Sequence, residues 1–565
     1  MSKENRISRC VFIILFVLVL LPLVAVLFQI ICPDLDFSEF DLSNLSVLKN
    51  VFTRPLWRKA FINSLLLASC TTVCGLILSA VLAIVRTSFK FRFAKWIDII
   101  AWIIMIVPSF ILAQGWVYFS SGDGIAKAWL GMTHISEFIF SFPGLVLVMT
   151  FCKWPMAYIA IRTSLEWKPA RLIQAARMNG ATKTQAWRDV ELPLMIPAFC
   201  SAAMLIFMDT VGDYGLSSTI TAVYSFPTLP YTIYSAICSS PARFDMAGVL
   251  SLCLLVLIVL AMFIQYKALG KRKYDFLDNG TEKNEPKSVS KKLRTVLEVL
   301  GFIFCFIALG IPIGSNLIMS FSSNISLTRF EFSLENYKNV LSGSSTLLTG
   351  IGHSLGLATV AAIFGLIIAF CTAYVLTYST SKLKKAIDMT TLIAMAVPGV
   401  VLGIGYIFVW NQKWLVPLHL HLYGTPSVLV LAVIASAIPL INRVLTAGMA
   451  KIPKSYLIAA QMQGASFTQK LKTILLPLLH DASVSAVLSA FGGSIFNLAI
   501  TTILYPPNWT TLPVWISDAY NDLKFGQAAA ATIVSGICII GIMLVLQWLL
   551  NLKKGTTLHG NDIKA

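Results

Sequence analysis

The side chains of this 565-residue chain that could perform chemistry are few and dispersed. Its six histidines, His134, His353, His419, His421, His480 and His559, are scattered, and only His419 and His421 share a short loop. A two-residue spacing with no acidic neighbour is a poor metal site, because metal ligands converge and are held by further hydrogen bonds. Of the eleven cysteines, Cys70, Cys74, Cys200, Cys253, Cys305, Cys371 and Cys538 lie in apolar runs, and no C-x-x-C pair occurs. They read as small polarizable core residues. There is no G-x-x-x-x-G-K-[ST] loop to cradle phosphates, no H-E-x-x-H and no G-x-S-x-G. The residues therefore describe neither an enzyme nor a resident metal centre, and any energy from ATP must enter through another subunit.

Two acids invite a different chemistry. Asp209 and Asp213 are four residues apart near the end of an apolar stretch, a spacing that predicts one shared helix face. A carboxylate inside a membrane is costly and normally faces a cavity or a partner. Two readings stay open: the pair lines the outer part of a solute path and favours a cation, or Asp213, just before Tyr214-Gly215, makes a structural hydrogen bond at a helix end. The positions 284 residues further on are Gly493 and Asn497, so the charge is one-sided.

The elements that must position these residues are transmembrane helices. The chain is 57% hydrophobic and 12% charged, outside the range of a soluble globular protein. Hydropathy predicts about twelve spans, six per half: near 11–31, 61–85, 97–119, 143–165, 192–212 and 246–267, then 296–320, 352–376, 389–411, 426–446, 477–500 and 527–551. The first run is too long for a signal-peptide core and lacks a small-x-small cleavage site, so it reads as a retained helix. The formal charge of +18 is a topology signal: Lys3, Arg6 and Arg9, then Arg86, Lys90, Arg92 and Lys95, then 168–188 and 267–294, sit beside helix ends on alternate sides. That pattern predicts a multi-pass cytoplasmic-membrane protein with both termini cytoplasmic and no nucleic-acid partner.

The chain is also duplicated. "QAARMNGATKTQAWRDVELP" begins at Gln174 and "IAAQMQGASFTQKLKTILLP" at Ile458; Gly180 and Gly464, and Pro193 and Pro477, are both 284 residues apart. Asn63-Ser64 matches His353-Ser354, and Met105 in "MIVPS" matches Met395 in "MAVPG", with an offset of 290. An even number of spans per half makes this a parallel repeat, with two like halves facing one central path. The domains expected are a first half at 1–267, with a polar loop at about 166–193, a basic cytoplasmic linker at 268–295, a second half at 296–551, with its loop at about 450–477, and a cytoplasmic tail at 552–565. Pro108 and Pro398, at equivalent places in the third span of each half, predict bends, for gating or for packing. The outer segment 33–59, with Asp34, Asp36, Glu39 and Asp41, reads as a solvated loop or a surface for a partner.

Each polar loop has a legible geometry. Ala175-Ala176 and Ala459-Ala460 put almost no bulk on a short helix. Gly180 and Gly464 supply a stop with positive φ. Pro193 and Pro477 mark the first turn of the next span. A short helix, a turn, a second short helix and a return into the membrane would present a compact knob to the cytoplasm.

The pattern A-A-x-x-x-G, nine further residues, then I-x-L-P resembles the "EAA" loop of permease subunits of ATP-binding-cassette importers, with Val190 in the place of the isoleucine in the first copy. It is carried by Ala175, Ala176, Gly180, Val190, Leu192 and Pro193, and by Ala459, Ala460, Gly464, Ile474, Leu476 and Pro477; Gln174 and Ile458 replace the family's leading acid. The resemblance covers spans two to six of each half. It implies an all-α type I importer permease fold, with both loops acting as coupling helices on a homodimeric ATPase that binds ATP and Mg. It also implies an extracytoplasmic solute-binding protein as a partner. Two fused halves with an extra leading span each look like the ferric-iron, thiamine, polyamine and phosphonate branch. "MDTVGDYGLSSTI", from Met208, resembles the Asp-(Phe/Tyr)-Gly element of fused iron-type permeases, making ferric iron the expected solute. From another class, the rival is a secondary transporter, with ion sites on broken helices and no ATPase.

Overall fold

The computed structural model describes residues 3–29, 46–168, 170–221, 224–269, 282–283, 286–342 and 345–559. Asp34, Asp36, Glu39 and Asp41, much of the 268–295 linker and the end of the 552–565 tail lie outside the described residues. Among those described, nine helices are long and apolar enough to cross a membrane, and three sharply bent helix pairs raise the number to twelve. Among the described residues the fold is all-α apart from one two-stranded pairing, in which Trp167–Lys168 lies antiparallel to Glu282–Lys283.

The chain packs as two compact units, one made of residues 1–47 with 334–565 and the other of 48–333. The repeat halves 1–267 and 296–551 are units of duplication, whereas packing cuts the chain elsewhere: each leading helix belongs to a unit built on the other half's core. Two glycines show why. The carbonyl of Pro312, on the leading helix of the second half, lies 2.0 Å from where a Cβ on Gly115 would stand, and the carbonyl of Pro22 lies 2.5 Å from the corresponding point at Gly405. Only a residue without a side chain admits so close an approach.

Each leading helix reaches that contact through a widened turn. Phe16–Leu20 and Phe306–Gly310 are π turns, and so are Trp187–Glu191 and Leu471–Leu475 in the two polar loops. In all four the turn ends two residues before a proline: Pro22, Pro312, Pro193 and Pro477. Proline lacks an N–H and its ring crowds the carbonyl four residues back. The extra residue of a π turn relieves that crowding inside a helix that continues. The expectation that Pro193 and Pro477 open a new helix therefore needs correction. In the first half, Lys183–Val211 runs unbroken through the π turn and Pro193; in the second, Thr468–Leu478 bends by 76° against His480–Ile495. At Pro22 the freed carbonyl of Leu18 accepts the Tyr406 hydroxyl at 2.9 Å.

The third span of each half is broken at its proline. Ala94–Ile106 and the helical stretch Ser109–Leu130 meet at 106°, and Lys384–Ala396 and Gly399–Trp410 at 113°. Pro108 and Pro398 are the N-caps of the second segments, with extended backbone (ψ 145° and 144°). The core of the 48–333 unit gathers Ala83, Ile97, Ile104, Trp154, Ile161 and Ile206 from four different helices. It holds Phe142–Glu166 between Pro55–Ser88, Ala94–Ile106 and Leu192–Val211.

Candidate functional site

Both polar loops begin as expected, with a short helix and a stop at glycine. Ala170–Met178 and Lys454–Met462 form the first short helices. Gly180 and Gly464 then take φ of +85° and +81°. Their amides bond back to Arg177 and Gln461, while those of Ala181 and Ala465 donate to the carbonyls of Ala176 and Ala460 at 3.1 and 3.0 Å. This six-to-one closure is a Schellman stop, which needs a left-handed residue where each glycine stands. Ala175 and Ala459 are exposed, and Leu192, Pro193, Leu476 and Pro477 lie just past the π turns.

A second device follows, in residues the motif does not include. Thr182 and Gln185 cap each other: the Gln185 amide donates to Thr182 Oγ1 at 3.3 Å and the Thr182 amide to Gln185 Oε1 at 2.8 Å. Ser466 and Gln469 repeat this at 3.3 and 2.7 Å. A reciprocal box satisfies two donors at a helix start. Its S/T-x-x-Q pattern is visible in both copies. At the last residue of each first helix, just before the stop, the knob leaves Met178 and Met462, also 284 residues apart, 88% and 85% exposed.

The roots of the two loops are held differently. In the first half, Asp98 accepts from Arg162 Nη1 and from the Tyr158 hydroxyl, each at 2.6 Å, and pairs with Arg86 Nε at 2.9 Å. Arg162 also pairs with Glu166 at 2.7 Å, directly before the loop. In the second half, Arg86, Tyr158, Arg162 and Glu166 correspond to Leu376, Asn442, Thr446 and Ala450. There the Tyr378 hydroxyl caps the carbonyls of Met449 and Ile452 at 2.9 and 3.2 Å. The linker pairs with the root of the first loop at Trp167–Lys168 and with the end of the helix Pro55–Ser88, where the Lys287 amide donates to Ser88 O and the Lys90 amide to Lys287 O, both at 2.9 Å.

Asp209 and Asp213 are brought together, but not on one helix face. The helix Leu192–Val211 ends first, and Asp213 sits in the break before Tyr214–Thr221. Their common partner is Lys153, 7% exposed on Phe142–Glu166, whose Nζ lies 2.9 Å from Asp209 Oδ2 and in short contact with Asp213 Oδ2. Asp213 Oδ1 accepts from Ser109 Oγ at 3.0 Å and from the Leu216 amide at 2.8 Å, while Asp209 remains 41% exposed. Sequence reasoning missed Lys153, although a lone lysine in "VMTFCKWPMAY" is the kind of intramembrane charge that asks for a partner. The structure thus shows a capping carboxylate at Asp213 with a buried counter-ion. His419 and His421 are not joined by further ligands, since no group of three or more His, Cys, Asp or Glu among the described residues is placed to hold a metal.

Comparison with known proteins agrees with this duplicated plan. Residues 75–273 and 361–552 each match the binding-protein-dependent transport system inner membrane component family, together well over half of the chain. The chain is similar to the ferric transport system permease protein FbpB of Actinobacillus pleuropneumoniae, 21% identical over 86% of this chain and 70% of the relative. It is also similar to a probable ABC transporter permease protein, y4fN, of Sinorhizobium fredii, 21% identical over the full length of both. A third relative, the putative 2-aminoethylphosphonate transport system permease protein PhnV of Salmonella paratyphi A, is 30% identical over 45% of this chain and 91% of its own length. With two copies of the family's domain on two repeats of the same helical plan, the chain belongs to the binding-protein-dependent transport system inner membrane components, as a fused two-half permease of an ABC importer.

Proposed function

We propose that the two knobs dock on a homodimeric ATPase, one knob per subunit, and that nucleotide-driven closure of that dimer moves them and switches the solute path between its inward-open and outward-open forms. Met178 and Met462 carry this reading: two equivalent, almost fully exposed apolar side chains stand at the helix ends that lead into identically capped turns, little packed against the described residues. A flexible thioether suits an apolar pocket on a partner. ATP and Mg bind to the ATPase, both termini of the permease face the cytoplasm, and solute arrives from an extracytoplasmic binding protein. Replacing both methionines with Glu should abolish co-purification of the ATPase while the permease still inserts. Undiminished co-purification removes the docking assignment.

Ferric iron is the solute this reading favours, because two similar permeases, in Actinobacillus pleuropneumoniae and Haemophilus influenzae, are named for ferric transport. The 30% identity with a 2-aminoethylphosphonate permease supports an organophosphonate as the second reading. Uptake of radiolabelled ferric iron and of 2-aminoethylphosphonate into vesicles holding the complete importer and its binding protein separates the two. Uptake of the phosphonate alone removes iron.

A further inference from the structure

The Lys153 cluster joins two helix breaks of the first half and an unbroken, proline-bearing helix at one carboxylate. Ser109 follows the break at Pro108, Asp213 lies in the break between Leu192–Val211 and Tyr214–Thr221, and Lys153 stands two residues before Pro155 inside Phe142–Glu166. Asp213 receives all three: the Ser109 hydroxyl, the Leu216 amide that starts the next helix, and the Lys153 ammonium. Gly215 fits this junction closely, since a Cβ there would stand 3.0 Å from Ser109 Oγ and 3.2 Å from Phe110 Cβ.

The second half keeps the same interruptions without the charge. The positions corresponding to Ser109, Lys153, Asp209 and Asp213 are Gly399, Ala437, Gly493 and Asn497. Asn497 still caps its helix, accepting the Ile500 amide at 3.2 Å just as Asp213 accepts that of Leu216. Among the described residues it is tied to the helix Pro426–Met449 by a long bond of 3.3 Å from Nδ2 to Ser436 Oγ, and Gly399 offers no hydroxyl. Opening the first junction separates an ammonium from a carboxylate in apolar surroundings, where an uncompensated charge is strongly unfavourable. Opening the second exchanges one weak neutral bond.

We infer that Lys153 is a positioning residue that latches the helix breaks of the first half through Asp213, so that the breaks of the second half are the ones that rearrange during transport. The chain is duplicated in fold but not in mobility: one half acts as a stator and the other as the moving part. Asp209, half-exposed and, among the described residues, paired with Lys153, is not needed for the latch. The inference rests on the reading that ATP turnover on the partner moves these helices, and the test separates the two.

Amide exchange is measured by mass spectrometry on the full chain assembled with its ATPase in nanodiscs, with and without ATP, at residues 214–220 and 498–504. Without nucleotide, exchange at 214–220 should be slower by about tenfold or more, since local opening there must break an ion pair. ATP should accelerate 498–504 by about tenfold and 214–220 by less than about twofold. The triple variant Lys153→Ala, Asp209→Gly, Asp213→Asn installs residues that the second half already tolerates, so it should fold, and both segments should then exchange and respond alike. Asp209→Asn should preserve the wild-type contrast. Equal exchange in the wild type, or a contrast that survives in the triple variant, overturns the latch. A contrast without nucleotide that disappears in the triple variant, with no response to ATP at either segment, upholds the latch and removes the coupling reading.

Discussion

The carbonyl of Pro312 stands 2.0 Å from the point that a Cβ on Gly115 would occupy. An alanine in a helix is normally favourable over glycine by about 1 kcal/mol, yet here it would meet backbone that cannot step aside as a side chain could. Overpacking of this kind costs about 1–3 kcal/mol or more, so Gly115→Ala should destabilise the protein and loosen the helix Lys291–Ser320. Gly405→Ala, against Pro22, should do the same to residues 16–28. Thermal unfolding in detergent reads the sign, and a gain in stability in either variant contradicts the close approach.

At Gly180 and Gly464 the cost has a different origin. Among the described residues, no atom beyond the chain neighbours lies within 4 Å of a Cβ built on either residue, so a substitution meets open space but keeps a φ near +80°. Valine resists that conformation and asparagine tolerates it. Gly180→Val and Gly464→Val should therefore uncouple ATP hydrolysis from uptake while the permease stays inserted, at a local cost of about 1–2 kcal/mol. Asparagine at either site should restore most of the uptake. Full uptake with valine at both positions would mean that the knobs are not couplers.

Asp98 and Asp388 occupy equivalent positions with unequal duties. Asp98 neutralises Arg86 and Arg162 and accepts from Tyr158, whereas Asp388 is exposed. Removing one member of a half-buried charge network leaves its partners unmatched, so Asp98→Asn should cost roughly 3 kcal/mol. Asp388→Asn should stay within about 0.5 kcal/mol of wild type, as surface substitutions do. Chemical denaturation of the two variants side by side measures the difference, and equal effects would mean that the first loop's root does not depend on Asp98.

The linker strand has its own signature. Lys287→Pro removes the amide that donates to Ser88 and disturbs the bond from Lys90. Amide exchange should then quicken at residues 88–90 and 167–168 and remain unchanged at 450–453, the root of the second loop. Faster exchange at both roots would show a global loosening instead of a brace.

Much of this protein is dictated locally. Apolar runs of bilayer length must become helices, because in lipid every backbone amide and carbonyl needs a partner within its own segment. Gly180 and Gly464 announce left-handed stops because the neighbouring residues supply the rest of each motif. The prolines at 108 and 398 likewise mark breaks, since the missing N–H is a property of the residue itself. The duplication was countable from spacings alone.

What the sequence by itself left open are relationships between residues far apart in the chain. Nothing local indicates that each leading helix packs with the other half's core; a backbone-to-glycine fit at Gly115 and Gly405 decides it, and close packing becomes apparent only when both surfaces are in place. Nor does a four-residue spacing reveal that the helix ends between Asp209 and Asp213, or that a lysine 60 residues before Asp213 neutralises it. A charge's partner is set by distance in space, and only the tertiary structure brought Lys153, Ser109 and Asp213 to one point in the first half while leaving a neutral Asn497 at the matching point of the second.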